Sequence, residues 1–319
     1  MVVKIFLAVI LTFLFIVFTC PLFIKSMKRL QYGQQIRDDG PSHHSIKAGT
    51  PTMGGIIILF AAFLFSIILS GSSPLLYLLF LITLGCGLIG FLDDYLKILH
   101  SRSLGLKART KLAGEVAITV IFILLIIFMG HYSSIVVIPF FNLAVDLGIF
   151  YPIFVFLIIS GFSNSVNLTD GVDGLAAGVS VLSFVAFVII ALEAGFPEVA
   201  IFCAALAGAC LGFLVFNRYP ARLFMGDVGS LALGGALAAS ALLTKTELYL
   251  LIIGGVFFLE ALSVIAQVIS FRLSGRRIFL MSPLHHHFEL KGWSEWRVVA
   301  SFWGAALVFA VIGVLAYNC

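Results

Sequence analysis

The stretch Gly90-Phe-Leu-Asp93-Asp94-Tyr-Leu-Lys97 lies where a long apolar run, residues 75–92, meets a basic segment. Two adjacent carboxylates at the mouth of a membrane helix repel each other and lose hydration, so they need a cation nearby. Asp93, Asp94 and Lys97 share one helical face, which places an ammonium group about one turn from both carboxylates. A solvated helix end would also explain an isolated Asp-Asp pair, so the rest of the chain has to decide between the two interpretations.

The composition is that of an integral membrane protein. Of the 319 residues, 61% are hydrophobic and 11% are charged, and the mean hydropathy is +1.17, whereas soluble domains contain about 25% charged residues. The first apolar run, residues 5–24, is long enough to span a bilayer and precedes no small-residue cleavage site, which favours a retained helix over a signal peptide. The five cysteines lack metal-site spacing, and we expect inert thiols.

Apolar segments of spanning length predict an all-α integral membrane protein with ten transmembrane helices in one polytopic domain, residues 1–319. The segments lie near residues 3–24, 54–71, 75–92, 112–129, 149–166, 175–192, 199–216, 230–244, 248–270 and 298–317. An even number of spans puts both termini on the same side of the membrane. We expect the connecting segment 130–148 to form a small hairpin on the membrane surface.

The basic residues predict the orientation. One set of loops comprises residues 25–53, 93–111, 167–174, 217–229 and 271–297, which contain five, five, none, two and five of the nineteen Lys and Arg residues. Only Lys4 and Lys245 lie elsewhere. Because cytoplasmic loops carry an excess of Lys and Arg, we expect these five loops inside the cell and both termini outside. Every chemically suggestive cluster falls in this cytoplasmic set.

The first two cytoplasmic loops carry groups suited to phosphate. Lys47-Ala-Gly-Thr-Pro-Thr52-Met-Gly-Gly is a glycine-bracketed turn that leads into a helix; glycine permits close backbone approach, and a helix N-terminus attracts anions. In the second loop, Lys97 and Lys111 stand at the membrane ends of two helices, which makes them candidates for phosphate contacts. Glu115 is expected to pair with Lys111 at i,i+4 spacing.

The third loop is polar but contains no basic residue, so the orientation signal does not explain it. It reads Asn164-Ser-Val-Asn167-Leu-Thr-Asp170-Gly-Val-Asp173-Gly. Two amides and two carboxylates at three-residue spacing can line one side of a helix that unwinds at Gly171. An Asp-Gly pair also marks ordinary turns, but four such groups between apolar flanks favour a substrate-binding role.

The fourth loop supplies a third carboxylate. It runs from Asn217 through an aromatic residue, Phe224, to Asp227, which stands between two glycines at a predicted helix start. An Asp in this position can simply cap the helix. Together with Asp93 and Asp94, however, Asp227 provides hard oxygen ligands of the kind that Mg²⁺ takes along with substrate phosphates.

The fifth loop contains His285, His286 and His287 in succession. Zinc motifs space their histidines by three or four residues, so the run fits hydrogen bonds to phosphate oxygens better than a Zn²⁺ site. Glu260 and Gln267 lie within the ninth predicted span, and polar groups inside a membrane helix are functional candidates.

The motifs together resemble a known family. In order they are Lys47…Gly-Thr-Pro-Thr-Met-Gly-Gly, Gly-Phe-Leu-Asp-Asp-Tyr-Leu-Lys, Asn-Ser-Val-Asn-Leu-Thr-Asp-Gly-Val-Asp-Gly-Leu, Phe-Met-Gly-Asp-Val-Gly-Ser-Leu and Ser-Pro-Leu-His-His-His-Phe-Glu. The sequence from about residue 37 to residue 297 is similar to the bacterial phospho-N-acetylmuramoyl-pentapeptide transferases. These belong to the polyprenyl-phosphate N-acetylhexosamine-1-phosphate transferases. Ser165 and Val172 depart from the usual pattern and touch no group with a proposed chemical role.

The resemblance implies an enzyme of the bacterial inner membrane with ten helices, a cytoplasmic active site and a bound Mg²⁺. It implies transfer of phospho-MurNAc-pentapeptide from UDP-MurNAc-pentapeptide to undecaprenyl phosphate, which gives lipid I and UMP. A homodimer is the oligomer implied, the lipid bilayer is the surrounding medium, and no nucleic acid is expected as a partner.

The resemblance also implies roles for individual residues. Asp227 would bind Mg²⁺, and Asp93 and Asp94 would lie beside the metal and handle the lipid phosphate, with His286 in the catalytic set. The residues expected to bind substrate are Lys47, Thr52, Lys97, Lys111, Asn164, Asn167, Asp170, Asp173, Asn217, Phe224, Gln267, His285 and His287.

Three alternatives stay open at this point. A transferase that uses UDP-GlcNAc would share most motifs, although the complete His-His-His-Phe-Glu run favours the muramoyl substrate. An ion-coupled transporter could use Glu260, but transporter sites lie near the bilayer midplane, whereas these clusters gather at one face. An intramembrane aspartyl protease would need a partner for Asp227 within another span.

Overall fold

The computed structural model describes residues 1–30, 49–100, 104–141 and 143–318. Lys47, a predicted substrate-binding residue, lies outside the described residues. The described part of the chain is predominantly helical, with one two-stranded sheet.

The helices and strands follow the apolar segments of the sequence. They are α1 (Val2–Arg29), α2 (Gly55–Ser70), α3 (Pro74–Leu99), α4 (Ala108–Phe128), β1 (Ile135–Ile138), β2 (Leu143–Asp146), α5 (Tyr151–Thr169), α6 (Leu175–Glu193), α7 (Pro197–Asn217), α8 (Gly226–Leu243), α9 (Glu247–Ile253), α10 (Gly255–Ser274), α11 (Leu284–Leu290) and α12 (Glu295–Tyr317). A short 3₁₀ helix, Gly148–Phe150, leads into α5.

The helices are those of a multi-pass membrane protein. In the described residues, nine helices are long and apolar enough to cross a bilayer, and α2, with 16 residues, is a shorter apolar helix. The prediction of a helical membrane protein is confirmed. The ninth predicted span, residues 248–270, is broken at Gly254 into α9 and α10. A Cβ at Gly254 would lie 2.5 Å from the ring of Phe162, so α5 packs directly against the break.

The middle of the bundle is formed by helices that are buried nearly all round. α7 and α8 are rich in Ala and Gly and bury most of their residues, whereas α1, α4, α10 and α12 each leave a wide apolar face exposed. A helix that is apolar on every side belongs in a core, and small residues let helix backbones approach closely. α8 packs against α3 and α5, and this contact positions the polar ends of all three helices.

The predicted hairpin is present. β1 and β2 pair antiparallel, with Ile135 opposite Asp146 and Ile138 opposite Leu143. The segment that precedes β1 is attached to the bundle by Lys245, whose ammonium donates to the Ser133 carbonyl at 3.0 Å. The hairpin therefore lies at the ends of α4 and α5 that are remote from Asp93.

Candidate active site

Four helix ends meet at the acidic cluster. The C-terminal part of α3 provides two adjacent carboxylates, α4 begins with a basic turn, α5 ends in an amide, and α8 begins at Gly226 with a carboxylate in its first turn. Because α3 and α4, and likewise α7 and α8, run in opposite directions, their polar ends return to the same face of the bundle. The cluster is therefore built by the packing of long apolar helices rather than by a flexible loop.

The cluster contains three carboxylates and two ammonium groups. Lys97 Nζ lies 2.6 Å from Asp93 Oδ2, 3.6 Å from Asp94 Oδ1 and 3.1 Å from Asp227 Oδ2. Lys111 Nζ lies 3.0 Å from Asp93 Oδ1 and 2.9 Å from Asp227 Oδ2. The helical face predicted for Asp93, Asp94 and Lys97 is present in the structure. Both lysines thus bridge carboxylates that come from different helices.

Backbone N–H groups fix two of the carboxylates. Asp93 is 1% exposed, and its Oδ1 accepts a hydrogen bond from the backbone N–H of Leu106 at 2.8 Å. Asp94 is also buried, and its Oδ2 accepts from the backbone N–H of Val228 at 3.1 Å. Charge-assisted hydrogen bonds of this kind hold a carboxylate in one orientation. The side chain of Asp227 is the most accessible of the three, at 17%.

A glycine on each helix permits this close approach. A Cβ at Gly90 would lie 2.1 Å from the backbone carbonyl oxygen of Asp227, so α3 and α8 touch through their main chains. Gly226 has φ +74°, a conformation that favours glycine, and a Cβ there would lie 2.5 Å from Asp94 Oδ2. Both glycines flank the carboxylates in sequence and set the distance between them.

The end of α5 reaches the same cluster. The amide nitrogen of Asn167 donates to Asp227 Oδ1 at 3.0 Å and to Ser230 Oγ at 2.8 Å. Asp170, which ends α5, is half-buried. Removal of its carboxyl from water raises the pKa of Asp170 well above its usual range, and the negative charges of Asp227, Asp94 and Asp173 raise it further. A carboxyl group whose pKa is raised in this way beside an acidic cluster is typical of a functional site.

The glycine-bracketed turn packs on the start of α8. The backbone N–H of Phe224 donates to the Pro51 carbonyl at 2.8 Å, and the N–H of Gly54 donates to the Phe224 carbonyl at 2.9 Å. Thr52 Oγ1 lies 3.0 Å from the position of a Cβ on Gly226. The structure therefore brings Thr52 and Phe224 to the edge of the acidic cluster, and their substrate-binding roles stay predictions.

The turn between α5 and α6 is fixed by groups from two other helices. The Asp173 carboxylate accepts from the backbone N–H of Ala221 at 2.9 Å, and its own N–H donates to Glu295 Oε1 at 3.0 Å. Asn217 accepts from the N–H of Gly174 at 3.0 Å and donates to the Leu223 carbonyl at 3.0 Å. Asn217 thus holds the turn in place with both atoms of its buried amide.

The three histidines point to three different partners. His285 Nδ1 lies 3.1 Å from Glu260 Oε1, and His286 Nδ1 lies 2.7 Å from Glu289 Oε2. His287 Nδ1 accepts from the backbone N–H of Leu280 at 3.1 Å. The run therefore does not converge on one point, which agrees with the interpretation against a Zn²⁺ site.

Comparisons with known proteins identify the family. The sequence model of glycosyl transferase family 4 matches residues 75–245, and signature 1 of phospho-N-acetylmuramoyl-pentapeptide-transferase matches residues 47–59. The phospho-N-acetylmuramoyl-pentapeptide-transferase of Shouchella clausii is 52% identical over 309 residues, which cover 96% of this chain and 95% of the relative. The chain belongs to the phospho-N-acetylmuramoyl-pentapeptide transferase family.

Two further relatives carry the same name. The protein of Bacillus pumilus is 52% identical over 310 residues, covering 96% of this chain and 95% of the relative. That of Geobacillus sp. is 50% identical over 312 residues, covering 97% and 96%. The resemblance inferred from five motifs is therefore confirmed over nearly the whole length of the chain.

The donor set of this transferase fits a divalent cation. Asp93, Asp94 and Asp227 offer carboxylate oxygens that lie within 4.8 Å of one another, and among the described residues no other cluster of His, Cys, Asp or Glu does so. Mg²⁺ takes oxygen ligands and is usually bound through one or two carboxylates together with substrate phosphates. Two ammonium groups already share these oxygens, so only one excess negative charge is left in the cluster.

Two of the predicted substrate-binding residues form hydrogen bonds with other parts of the protein. Asn164 donates a hydrogen bond to Glu115 Oε1 at 2.7 Å. Lys111, which was expected to pair with Glu115, lies against Asp93 and Asp227. Gln267 uses both amide atoms to hold residues 278–279. Their substrate-binding roles stay predictions.

Sequence reasoning missed one member of the site. Ser230 accepts the hydrogen bond from Asn167 and stands one helical turn after Asp227. Residues three apart on a helix share a face, so this spacing was the available signal. The Leu106 N–H that binds Asp93 carries no signal in the sequence, because a backbone donor looks the same at every position.

Proposed function

We propose that the chain transfers phospho-MurNAc-pentapeptide from UDP-MurNAc-pentapeptide to undecaprenyl phosphate, which yields lipid I and UMP for peptidoglycan synthesis. The observation that carries the proposal is the cluster of three carboxylates and two lysines at the ends of apolar helices. Family membership, with relatives of about half identical sequence, supports the same reaction.

The location of the cluster suits the two substrates. The acceptor is a phosphate on a lipid tail, which has to stay at the membrane surface, whereas the nucleotide sugar comes from the cytosol. A site at the ends of several membrane helices is open to both. We therefore place the protein in the bacterial inner membrane with this face in the cytoplasm and both termini outside.

The lysines can neutralise the diphosphate. Lys97 and Lys111 bring their positive charges to one point between α3, α4 and α8. Phosphoryl transfer depends mainly on positioning and on neutralisation of the developing negative charge. When substrate phosphates arrive, the two ammonium groups can donate to phosphate oxygens as well as to the carboxylates, and this would align the donor phosphate with the acceptor.

Mg²⁺ is the proposed cofactor, with Asp227 as its ligand and Asp93 and Asp94 beside it. Asp227 is the most exposed of the three carboxylates, as expected for a residue that shares a cation with substrate. When bound, the ion would neutralise charge on the phosphates of the nucleotide sugar.

The remaining residues would divide between the two ends of the nucleotide sugar. Phe224, Asp173, Asn167 and Lys47 would contribute to the uridine side, and Thr52 and Asp170 lie next to this group. His286 and His287 would contact phosphate and sugar, with His286 in the catalytic set, whereas the buried His285 would act on the site from behind them. The homodimer stays a prediction from the resemblance.

The test is an assay of the purified protein for UMP release from UDP-MurNAc-pentapeptide, with and without undecaprenyl phosphate. We expect release that depends on the acceptor and on Mg²⁺, and the Asp227→Asn variant should be inactive although it inserts and purifies normally. Turnover of UDP-GlcNAc in place of the muramoyl substrate would show the alternative transferase. If Asp227→Asn kept a tenth of the wild-type rate at saturating Mg²⁺, Asp227 would not be the ligand.

A further inference from the structure

Glu260 is a buried carboxylate of α10 with no role in the acidic cluster. It is 0% exposed. Its Oε2 accepts from the backbone N–H of Leu284 at 2.7 Å, and its Oε1 accepts from the backbone N–H of His285 at 3.2 Å. The same Oε1 lies 3.1 Å from Nδ1 of the His285 ring. One side chain thus binds the first two residues of α11 and orients the first histidine.

Burying a carboxylate costs free energy because its hydration is lost. The groups that compensate for this loss therefore indicate what the side chain does. A buried charge is tolerated when hydrogen bonds and an opposite charge compensate for the lost water. Among the described residues, the one side chain that the Glu260 carboxylate contacts at ion-pair distance is His285, at 3.1 Å. All of these contacts are with α11, so Glu260 serves this short helix and not an ion path across the bilayer.

The other side of the His285 ring meets the turn between α5 and α6. His285 is 0% exposed, and its Nε2 is buried without a hydrogen-bond partner among the described residues. A Cβ at Gly171 would lie 2.4 Å from this Nε2, so the ring fills the place that any larger residue would need. Gly171 stands directly after Asp170 and two residues before Asp173.

We propose that Glu260 is a positioning residue that acts through His285 on the turn between α5 and α6. Its carboxylate holds the ring by Nδ1, and the opposite edge of the ring supports Gly171. This turn positions Asp170 and Asp173, which the proposed function assigns to the nucleotide sugar. The expected effect on activity rests on that proposed function. The contact from α10 through His285 to the turn is independent of it.

The inference predicts which kinetic constant changes. Glu260→Gln keeps the shape of the side chain but replaces one acceptor by an N–H donor, which faces a donor from Leu284 or His285. We expect the KM for the nucleotide sugar to rise, with a loss in kcat/KM of about 10²-fold, the cost typical of a small misplacement of binding groups. The KM for undecaprenyl phosphate and the Mg²⁺ dependence should stay unchanged, because Asp227 does not contact Glu260.

The test combines a double-mutant cycle with hydrogen exchange. The variants are Glu260→Gln, His285→Gln and the pair, with Glu198→Gln on α7 as a control of the same chemical change. If Glu260 acts through His285, the double variant is no worse than His285→Gln alone. Backbone amide exchange in residues 167–175 should rise in Glu260→Gln and stay at the wild-type level in Glu198→Gln.

Each outcome decides the inference. Additive losses in the double variant, equal changes in both substrate KM values, or unchanged exchange in residues 167–175 would overturn it. If Glu260→Gln does not fold, Gly171→Ala replaces it, because the added Cβ displaces the same ring from the other side and should raise the same KM. Glu260→Asp keeps a carboxylate and should show a smaller rise in this KM. Faster exchange in a protein that releases no UMP would support the link and reject the proposed function instead.

Discussion

Asp93 is the residue whose chemistry separates two mechanisms. Both of its oxygens are already bound, Oδ1 by Lys111 and the Leu106 N–H and Oδ2 by Lys97. To act as a base or as a nucleophile, Asp93 has to lose one ammonium contact. An incoming phosphate offers the lysines an alternative acceptor, so arrival of the substrate itself can release the carboxylate. We hypothesise direct attack by the lipid phosphate, with Asp93 as the group that removes its proton, because the two lysines can already position two anionic substrates.

A change of Asp93 to Asn tests this mechanism. A general base contributes about 10²–10⁴-fold to the rate, so the variant should lose activity by that order while its affinity for the nucleotide is nearly unchanged. The second pKa of a phosphate monoester is about 6, so the acceptor ionises by itself as the pH rises. The variant should therefore recover part of its rate between about pH 6 and pH 8 in a UMP-release assay.

An obligatory nucleophile would give the opposite result. The Asn variant would then be inactive at every pH. Wild-type protein freed of lipid would also exchange labelled UMP into UDP-MurNAc-pentapeptide, and this exchange would vanish in Asp93→Asn. Such acceptor-independent exchange would reject direct attack.

Asp170 links the site to pH-dependent stability. Its pKa is well above the usual range in the folded protein and about 3.9 when unfolded, so the folded state binds this proton more tightly. The stabilisation is complete below about pH 4 and is lost as the pH rises through the folded pKa. Asp170→Asn should therefore raise the Tm more at pH 8 than at pH 5, as measured by thermal unfolding in detergent.

The matched control is Asp146→Asn in the hairpin formed by β1 and β2. Hydrogen bonds from the Ser134 hydroxyl and the Gly148 N–H lower the pKa of Asp146, so it is ionised at both pH values. The effect of this substitution on the Tm should be the same at pH 5 and pH 8. A pH-independent effect of Asp170→Asn would show that Asp170 is ionised in the folded protein.

Residue types and spacing predicted the cluster better than they predicted individual contacts. Asp93, Asp94 and Lys97 lie on one helical face because of helix geometry alone, so the sequence was enough. Lys111 joins them only because α4 packs beside α3, which no local pattern encodes. Asn217 was predicted to bind substrate, but a sequence does not show that both of its amide atoms already hold the turn between α5 and α6.

At the level of helices, contact between main chains decides the position of Asp227. α3 and α8 touch at Gly90, where a Cβ would lie 2.1 Å from the Asp227 carbonyl oxygen. Backbone cannot yield as a flexible side chain can, so Gly90→Ala has to separate the helices. Overpacking of this kind costs about 1–3 kcal/mol, and it also moves a carboxylate of the cluster. We expect a lower Tm and a large loss of UMP release.

Gly161→Ala on α5 is the matched control, because a Cβ there meets no atom within 4 Å. Ala is a better helix former than Gly by about 1 kcal/mol, so this variant should keep its activity and be at least as stable as the wild type. Equal behaviour of Gly90→Ala and Gly161→Ala in thermal unfolding and activity would contradict the close approach.

Hydropathy predicted where the helices are but not how they end. The ten segments correspond to observed helices because an apolar run of this length needs internal hydrogen bonds in a bilayer. The break at Gly254 was not predicted, and the Phe162 ring that packs against it comes from a distant helix, a contact that no local pattern encodes.

The whole molecule is polar at both ends, but in different ways. One end carries the acidic cluster and α11. The other carries the hairpin and a compact ion pair, in which Lys245 lies 3.1 Å from Glu247 and donates to the Tyr151 hydroxyl at 2.8 Å. Lys245 is therefore fully engaged in tying the hairpin segment to the bundle, and its charge does not contradict an extracytoplasmic position for that end.

The orientation of the whole molecule is tested by thiol labelling. Seventeen of the nineteen basic residues lie in the five loop sequences that the positive-inside rule predicts to face the cytoplasm. A cysteine at His131, before the hairpin, should react with a membrane-impermeant thiol reagent in intact cells, and one at Ser274, after α10, should react only after the cells are opened. Both positions are exposed, and the four native cysteines in the described residues are buried, so a Cys319→Ser background keeps the signal specific. Reaction at residue 274 but not at residue 131 in intact cells would show the opposite orientation. The acidic cluster would then be inaccessible to a cytosolic nucleotide sugar.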